Sequence, residues 1–363
     1  MKSKDEKLIK KIEDAKSYED DFAEIPPTDI VAFNELRSCA DLFRMYLTKQ
    51  LDIQPDFQRE IVWDNADQTR FIDSVVKQLP IPSMCISLDF KTNKRQVIDG
   101  LQRMQSIINF LSEKEWKLSS LNDIEPKISG KTNSYIKLKL SDFYDKVENL
   151  TIPVTILRCD YTKESHTNYL FTIFHRLNSG GSKLNNQEIR NCIYNGSLNT
   201  LLKECVKYNN FQKLMSIKPD RTYRFAFQEL VLRFFTFSEN HKKYNGKLGK
   251  FMNDYMFENR ELDNANISKK RILFKKTIDL ISTHLPERKE FPTLSKTVIE
   301  GLLIGISKNL DYLERLTPTQ FSKLYKKFRS SKEFSFESLK EGLSVKEKVI
   351  TRINFSIKVF SGK

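Results

Sequence analysis

The sequence predicts an α+β protein, in which a small mixed α/β domain is followed by an all-helical domain. Two strand-like segments, 84–88 and 95–98, flank a polar turn, and 152–157 is a third β-rich segment. From about residue 163 onward, long segments repeat their apolar residues with helical spacing. The composition, 39% hydrophobic and 30% charged with only 11 Gly and 11 Pro, is typical of a globular chain and excludes collagen-like or Pro/Gly-rich polymers.

The elements follow in order along the chain. The alternating charges of residues 1–21 predict a helix that is solvated or loosely docked. The spacing in 34–50 predicts a second helix, with Leu36, Cys39, Phe43 and Leu47 on one face. A short extended stretch at 51–53 and a helix at 65–78 come next. The segments 84–88 and 95–98 predict a hairpin, and a helix begins after Asp99-Gly100. Residues 113–150 give no clear assignment, and amphipathic helices are predicted near 163–177, 197–208, 223–238, 267–284, 293–309 and 344–360.

This pattern predicts an N-terminal arm (1–30), an α/β domain (31–195) and a basic all-helical domain (196–363). Residues 1–150 carry 23 Lys+Arg against 26 Asp+Glu, whereas 151–363 carry 38 against 21. Such a charge step predicts a polyanion partner, DNA above all, for the C-terminal half. The alternative is that the lysines only solvate helices. The two densest clusters are Lys269, Lys270, Arg271, Lys275 and Lys276, and Lys323, Lys326, Lys327 and Arg329.

Several classes of protein are not indicated. No run approaches 18 apolar residues, which argues against a membrane partner, and residues 1–21 lack a secretory apolar stretch. Five widely spaced cysteines then predict reduced thiols and a cytoplasmic protein. The four histidines show no zinc spacing, and neither a P-loop nor a nucleophile-elbow motif is present.

Three polar segments are candidates for chemistry. In 57–63, Gln58 and Arg59 precede Trp63 and a helix near 65. In 97–103, a strand runs through Asp99-Gly100 into a helix, which exposes backbone N–H groups at the positive end of the helix dipole and predicts an anion site. Gly100 permits close approach of a ligand. Arg103 offers a fork for phosphate oxygens, and Asp99 is placed to hold a hydrated metal ion or to cap the turn.

The third segment, 174–190, contains a Ser-Gly-Gly-Ser loop followed by Asn185 and, three residues later, Glu188, the spacing of a helix-capping box. Each segment has a plainer interpretation. Asp-Gly is often only a turn, the Gly-Gly loop is a helix connector, Glu188 is an N3 cap, and Trp63 is a core or interface residue.

Taken together, these motifs resemble a known family. Q-R-x-x-x-W (58–63), Pro80-Ile81-Pro82, I-D-G-x-Q-R (98–103) and R-L-N-S-G-G-x-x-L-x-x-Q-E-I-R (176–190) are similar to the N-terminal domain of GmrSD-type modification-dependent restriction enzymes, over about 35–195. The resemblance implies a ParB/sulfiredoxin-like fold with a nucleotide pocket, and hydrolysis of nucleoside triphosphate (NTP) in several members. The segment 224–235 also looks like the helical region that follows in shorter members.

Carried over residue by residue, the resemblance implies a nucleotide site built from the turn and its surroundings. Asp99, Arg103 and Arg59 would be catalytic, with Asp99 as the Mg²⁺ ligand. The implied nucleotide-binding residues are Gln58, Arg59, Asp99, Gly100, Gln102, Arg103, Asn178, Gly180 and Gly181, supported by Trp63, Glu188 and Arg190. The chain departs from the family at Leu101, where many members have Gln. It also lacks the His-Asn motif of the family's C-terminal nuclease domain.

The leading hypothesis is therefore an NTP-binding, NTP-hydrolysing protein that associates with DNA in anti-phage defence or DNA-modification sensing. It would use Mg²⁺ and, for cleavage, a separate nuclease partner. Two alternatives stay open: a regulatory module that binds nucleotide or DNA without hydrolysis, and a metal-dependent DNA nuclease that uses Asp99 with Glu188.

Overall fold

The computed structural model describes residues 3–19, 26–53, 63–177, 184–218, 223, 225–285 and 291–363. The chain divides into two compact units, which we call the α/β unit (Glu24–Lys183) and the helical unit (Met1–Ala23 with Leu184–Lys363). The predicted α+β class is confirmed, with a mixed sheet in the N-terminal part and helices in the C-terminal half. The first helix is grouped with the helical unit.

A five-stranded mixed sheet organises the α/β unit. Its strands are β1 (Val31–Ser38), β2 (Leu51–Asp52), β3 (Met84–Asp89), β4 (Lys94–Asp99) and β5 (Thr151–Cys159), in the order β1-β5-β3-β4-β2. The β1/β5 and β3/β4 pairs are antiparallel, whereas β3/β5 and β2/β4 are parallel. The predicted hairpin, β3 with β4, and the predicted third strand, β5, are therefore confirmed.

Helices cover this sheet and bury its apolar core. Numbered in chain order after α1 (Ser3–Glu19), they are α2 (Cys39–Leu47), α3 (Asn65–Val76), α4 (Leu101–Leu111), α5 (Asn133–Lys139), α6 (Ser141–Asn149) and α7 (Glu164–Leu177). The core joins apolar residues of α2, α3 and α4 to inward-facing residues of β5, among them Leu42, Ile72, Ile107 and Val154. The start of α4 is thus anchored between the sheet and α3, which fixes the position of the Asp99-Gly100 turn.

The prediction of a helix over 34–50 is wrong for residues 34–38. Residues 31–38 form β1, which pairs along its whole length with β5, and Leu36 is 68% exposed instead of facing a helical core. The helix begins only at Cys39, because the Ser38 hydroxyl accepts a hydrogen bond from the Asp41 N–H at 3.1 Å and caps α2.

The unassigned stretch 113–150 contains two short helices after an irregular segment. Leu118, Ile124 and Ile128 of that segment are buried in the core, although their spacing follows no regular period. Lysines of the stretch lie over aromatic rings, with Lys146 Nζ 5.4 Å from the Phe143 ring centre, so part of its charge covers apolar surface.

The helical unit consists of α1 and the helices that follow residue 184. These are α8 (Asn186–Ile193), α9 (Ser197–Val206), α10 (Asn209–Met215), α11 (Ala226–Asn240), α12 (Leu248–Glu258), α13 (Asn264–His284), α14 (Lys296–Ser307), α15 (Leu310–Leu313), α16 (Pro318–Arg329), α17 (Phe336–Gly342) and α18 (Lys346–Phe360). The six helices predicted from amphipathic spacing are all present, with shifted ends. Among the described residues, no helix is long and apolar enough to span a bilayer.

Ion pairs are buried inside the helical unit. Arg233 of α11 donates to the Glu300 carboxylate of α14 at 2.6 Å, and both side chains are almost fully enclosed. Burial raises the pKa of Glu300, and Arg233 opposes that shift. Paired charge is the condition under which such groups tolerate burial, so this contact ties α11 to α14.

Candidate functional site

The Asp99-Gly100 turn joins the end of β4 to the start of α4, as the sequence predicts. Gly100 adopts φ 99° and ψ 16°, a left-handed conformation that lets the chain turn directly from strand to helix. A Cβ at this position would lie 2.7 Å from Cγ of the buried Met84. Both the backbone angle and the packing therefore require glycine here.

The first turn of α4 presents backbone donors. Gly100 provides no side-chain cap, and among the described residues the N–H groups of Leu101, Gln102 and Arg103 have no hydrogen-bond partner. The Leu101 side chain packs against the domain core. Three amides without a described partner, at the positive end of an 11-residue helix, form an arrangement that attracts anions.

Arg103 lies beside these amides and is held by three acceptors. Its Nη2 donates to Asp99 Oδ2 at 2.8 Å, and its Nη1 donates to the Ser83 carbonyl at 3.2 Å and to the Pro82 carbonyl. The Arg103 side chain is 12% exposed and that of Asp99 is 37% exposed. Burial lowers the pKa of Arg103, and the neighbouring Asp99 opposes that shift. The guanidinium is thus fixed against the turn, with donors remaining for a further ligand.

A chain of polar side chains connects this turn to α3. Gln102 Oε1 accepts from the Trp63 N–H at 3.4 Å, and the Gln68 amide donates to the Trp63 carbonyl at 3.2 Å. Asn109 links Gln68 to Gln105, with distances of 2.7 and 2.8 Å. The Trp63 ring packs on Phe71, with 5.9 Å between the ring centres. This packing agrees with the alternative interpretation of Trp63 as a core or interface residue.

Sequence reasoning did not find Gln68, Asn109 and Gln105. Their only signal was the occurrence of polar residues on otherwise apolar helix faces. Together they fix where residue 63 sits beside α4.

The residues around Asp99, the predicted Mg²⁺ ligand, can be compared with what a magnesium ion requires. The Asp99 carboxylate is already paired with Arg103, and a second cation beside that guanidinium would be repelled. Among the described residues, no group of three or more His, Cys, Asp or Glu side chains is placed to hold a metal ion. Magnesium normally needs several oxygen ligands, so the described residues fit only an ion held mainly by the phosphates of a bound nucleotide.

The other predicted site residues are distributed as follows. Gln58, Arg59, Asn178, Gly180 and Gly181 lie outside the described residues. The structure brings together Trp63, Asp99, Gly100, Gln102 and Arg103 in the α/β unit, whereas Glu188 and Arg190 belong to α8 in the helical unit.

In α8, Glu188 completes the predicted capping box. Its carboxylate accepts from the Asn185 N–H at 2.5 Å, and the Asn185 side chain accepts from the Glu188 N–H at 2.9 Å. Arg190 is fully buried and donates to Asn253 at 2.8 Å. These contacts give both residues a structural role within the helical unit.

Comparison with known proteins gives one match. Residues 39–195 match the model of the GmrSD restriction endonuclease N-terminal domain family. Searches of the curated proteins and of the solved structures found no match. The matched range begins at the first residue of α2 and ends two residues after α8, so it contains the turn, Arg103 and the α8 capping box. Over residues 39–195 the chain is therefore similar to the GmrSD restriction endonuclease N-terminal domain family.

Proposed function

We propose that the α/β unit binds a nucleoside triphosphate at the Asp99-Gly100 turn and hydrolyses it within a cytoplasmic restriction or anti-phage defence system. The observation that carries the proposal is the set of amides at the start of α4, beside Arg103, that have no partner in the described part of the chain. Phosphate oxygens accept hydrogen bonds from such amides, and arginine adds a charge-assisted fork. The match of residues 39–195 to a restriction-endonuclease N-terminal domain family supports the cellular role.

The Asp99–Arg103 pair defines how a phosphate would enter. Arg103 Nη2 is bound to Asp99 Oδ2 at 2.8 Å, so a phosphate must compete with a carboxylate for the same guanidinium. Because the amides of the turn have no partner among the residues that the structure describes, the phosphate can bind there first and then share or take over Arg103. An arginine in that position neutralises the negative charge that develops during phosphoryl transfer.

The direction in which Asp99→Asn changes nucleotide affinity distinguishes two roles of Asp99. If Asp99 competes with phosphate, Asp99→Asn should bind ATP, GTP or CTP more tightly, by about tenfold for each 1.4 kcal/mol of competition removed. If Asp99 holds magnesium, the same variant should bind more weakly, and only in the presence of Mg²⁺. Calorimetric titration with and without Mg²⁺ measures both.

Arg103→Ala supplies the test of the site itself. It should lose nucleotide affinity, whereas Arg70→Ala should not, because Arg70 is an exposed arginine of the same unit paired with Asp123. Equal nucleotide binding by wild type, Arg103→Ala and Arg70→Ala would remove the turn from consideration.

A second candidate, nucleotide binding without hydrolysis, is favoured by the anchoring of Arg103. A guanidinium tied to Asp99 and to two backbone carbonyls has little freedom to follow charge as it moves during the reaction. Phosphate release measured over hours, with and without DNA, distinguishes the two. Release above the uncatalysed rate that is lost in Arg103→Ala supports hydrolysis, and binding without release supports the regulatory module.

We further propose that the helical unit binds DNA, with cleavage left to a separate nuclease partner. Not every basic residue of the two sequence clusters is exposed. Lys270 is 9% exposed and donates to Glu239, and Arg329 is held by Glu6 at 3.0 Å. The clusters retain exposed lysines on α13 and α16, namely Lys269, Lys275, Lys276, Lys323, Lys326 and Lys327.

The salt dependence of duplex binding tests whether these exposed lysines contact DNA. Neutralising phosphates releases counterions, so the logarithm of affinity should fall linearly with the logarithm of salt concentration, with a slope of about −0.9 per phosphate contacted. Lys275→Gln with Lys276→Gln should reduce that slope, whereas Lys146→Gln in the α/β unit should leave it unchanged. Duplex binding that is absent at low salt would end this part of the proposal.

A further inference from the structure

Helix α1 docks in the helical unit by a face made mainly of carboxylates. Among its residues 4–13, those buried are Glu6, Ile9 and Glu13, which share one face of the helix. Burying a carboxylate is unfavourable unless partners replace its water. The partners of Glu6 and Glu13 therefore decide what this contact is.

Both glutamates bind at the N-terminus of α14. Glu13 accepts from the Lys296 and Thr297 N–H groups, each at 2.9 Å, with one carboxylate oxygen on each. Glu6 accepts from the Ser295 N–H at 3.0 Å and, with its other oxygen, from Arg329 Nη2 at 3.0 Å. The two carboxylates thus occupy the positive end of a 12-residue helix, where an external anion would otherwise be attracted.

This anion site holds more donors than the carboxylates use. Thr297 is 2% exposed, and its hydroxyl, which has no hydrogen-bond partner among the described residues, lines a small cavity of about 40 Å³ together with Glu13 and Arg233. Arg329 Nη1 is also buried, and no residue in the described part of the chain accepts a hydrogen bond from it. Orphaned buried donors are rare in folded proteins, and here one lines the cavity beside Glu13 while the other belongs to the guanidinium that binds Glu6. A phosphate group offers more acceptors than a carboxylate and suits this donor set better.

We propose that the N-terminus of α14 is a phosphate-binding site, and that α1 is a tethered competitor whose Glu6 and Glu13 occupy it. The ligand class is a phosphate group, either free or in a phosphodiester backbone. Because Ile9 is the one apolar residue buried from 4–13, charge dominates the docking and a competing anion can displace it. The proposal deepens the DNA-binding role of the helical unit and is independent of the nucleotide turn.

Hydrogen exchange on the wild-type chain tests displacement directly. Inorganic phosphate or a short DNA duplex should increase deuterium uptake across residues 3–13, relative to sodium chloride of equal ionic strength, while the interior of α14 stays protected. An increase with phosphate alone identifies a free phosphate as the ligand, and an increase with duplex alone identifies the DNA backbone. No increase with either ligand overturns the proposal.

Two variants test the competition. Glu6→Gln with Glu13→Gln should bind the effective ligand about tenfold more tightly than wild type. A control, Glu258→Gln with Glu347→Gln, removes the same charge from exposed positions of the helical unit and should show only a small general effect. Equal affinity gains in the two double variants would also overturn the proposal, because the gain would then reflect net charge alone.

Thr297→Val in the Glu6→Gln, Glu13→Gln background separates a ligand site from a structural contact. Removing an unpaired hydroxyl should not destabilise the fold, but it should weaken phosphate binding several-fold if the hydroxyl donates to the ligand. Unchanged binding contradicts the assignment of that donor. Because these measurements use phosphate and duplex, failure of nucleotide binding at Gly100 does not affect them. Displacement of α1 by free phosphate but not by duplex leaves the site standing and removes only the DNA role.

Discussion

Gly100→Ala is the sharpest test of the geometry at the turn. The substitution adds one methyl group at a position with φ 99°, and that methyl group would lie 2.7 Å from Met84 Cγ and 3.0 Å from Met84 Cε. Two separate penalties therefore follow, one from the backbone and one from the packing.

Each penalty has an approximate size. A non-glycine residue in the left-handed region costs about 1–2 kcal/mol. Forcing a methyl group into a packed core costs about 1–3 kcal/mol, and the flexibility of methionine places Met84 in the lower part of that range. We expect Gly100→Ala to reduce the free energy of unfolding of the α/β unit by about 2–4 kcal/mol.

The chain offers both a selective probe and a matched control. Its two tryptophans, Trp63 and Trp116, lie in the α/β unit, so denaturant unfolding followed by tryptophan fluorescence monitors that unit. Gly246 has φ 98°, but a Cβ there would have no neighbour closer than 3.9 Å. Gly246→Ala, followed by circular dichroism, should therefore show the backbone penalty alone, about 1–2 kcal/mol.

The comparison can refute this reasoning in two ways. If Gly100→Ala unfolds with a free energy within about 0.5 kcal/mol of wild type, the left-handed turn is not required. If Gly100→Ala and Gly246→Ala cost the same, the Met84 contact contributes nothing. In the second case the packing at the start of α4 would be looser than described.

Three further predictions concern other parts of the chain. Asn185→Ala removes one half of the α8 capping box and should destabilise the helical unit by about 1 kcal/mol in chemical denaturation, and no loss would contradict the cap. Glu300→Gln leaves the buried Arg233 charge without its main partner and should cost about 3 kcal/mol by the same measurement, far more than an exposed Glu→Gln change. Hydrogen bonds from Lys163 and then His166 lower the pKa of Asp29 from 3.8 to about 2, so its stabilising effect is present above pH 3.8 and is lost as the pH falls towards 2. Asp29→Asn should flatten the loss of stability of the α/β unit in that window, and an unchanged pH profile from tryptophan fluorescence would contradict the pairing.

Elements specified by local sequence were predictable. The β3/β4 hairpin follows from two apolar runs around a polar turn, and the start of α4 from glycine after a strand. The Asn185–Glu188 box follows from spacing alone, because both partners belong to one helix turn. These features depend on neighbours within a few residues, which a single sequence displays directly.

Features set by long-range contacts were not predictable. Residues 34–38 have apolar spacing compatible with a helix, but pairing with β5, more than 110 residues away, makes them a strand. Lys270 is indistinguishable in sequence from Lys269, yet it faces inward and donates to Tyr255 at 2.7 Å. The direction in which a charged residue points depends on how the helix is packed, so clusters counted along the chain overstate the exposed charge.

The range of the family match and the boundary between the two units differ at α8. The family match ends two residues after α8, but every residue of α8 is buried and the helix belongs to the helical unit. Its polar side chains bond to that unit, since Arg190 donates to Asn253 and Asn191 donates to Gln228 of α11 at 2.8 Å. The polar side chains of the last helix in the matched range are therefore bonded to residues beyond 195. Ending the chain at 195 would leave the polar groups of α8 without the partners that justify their burial, so the last helix of the matched range depends on the helical unit.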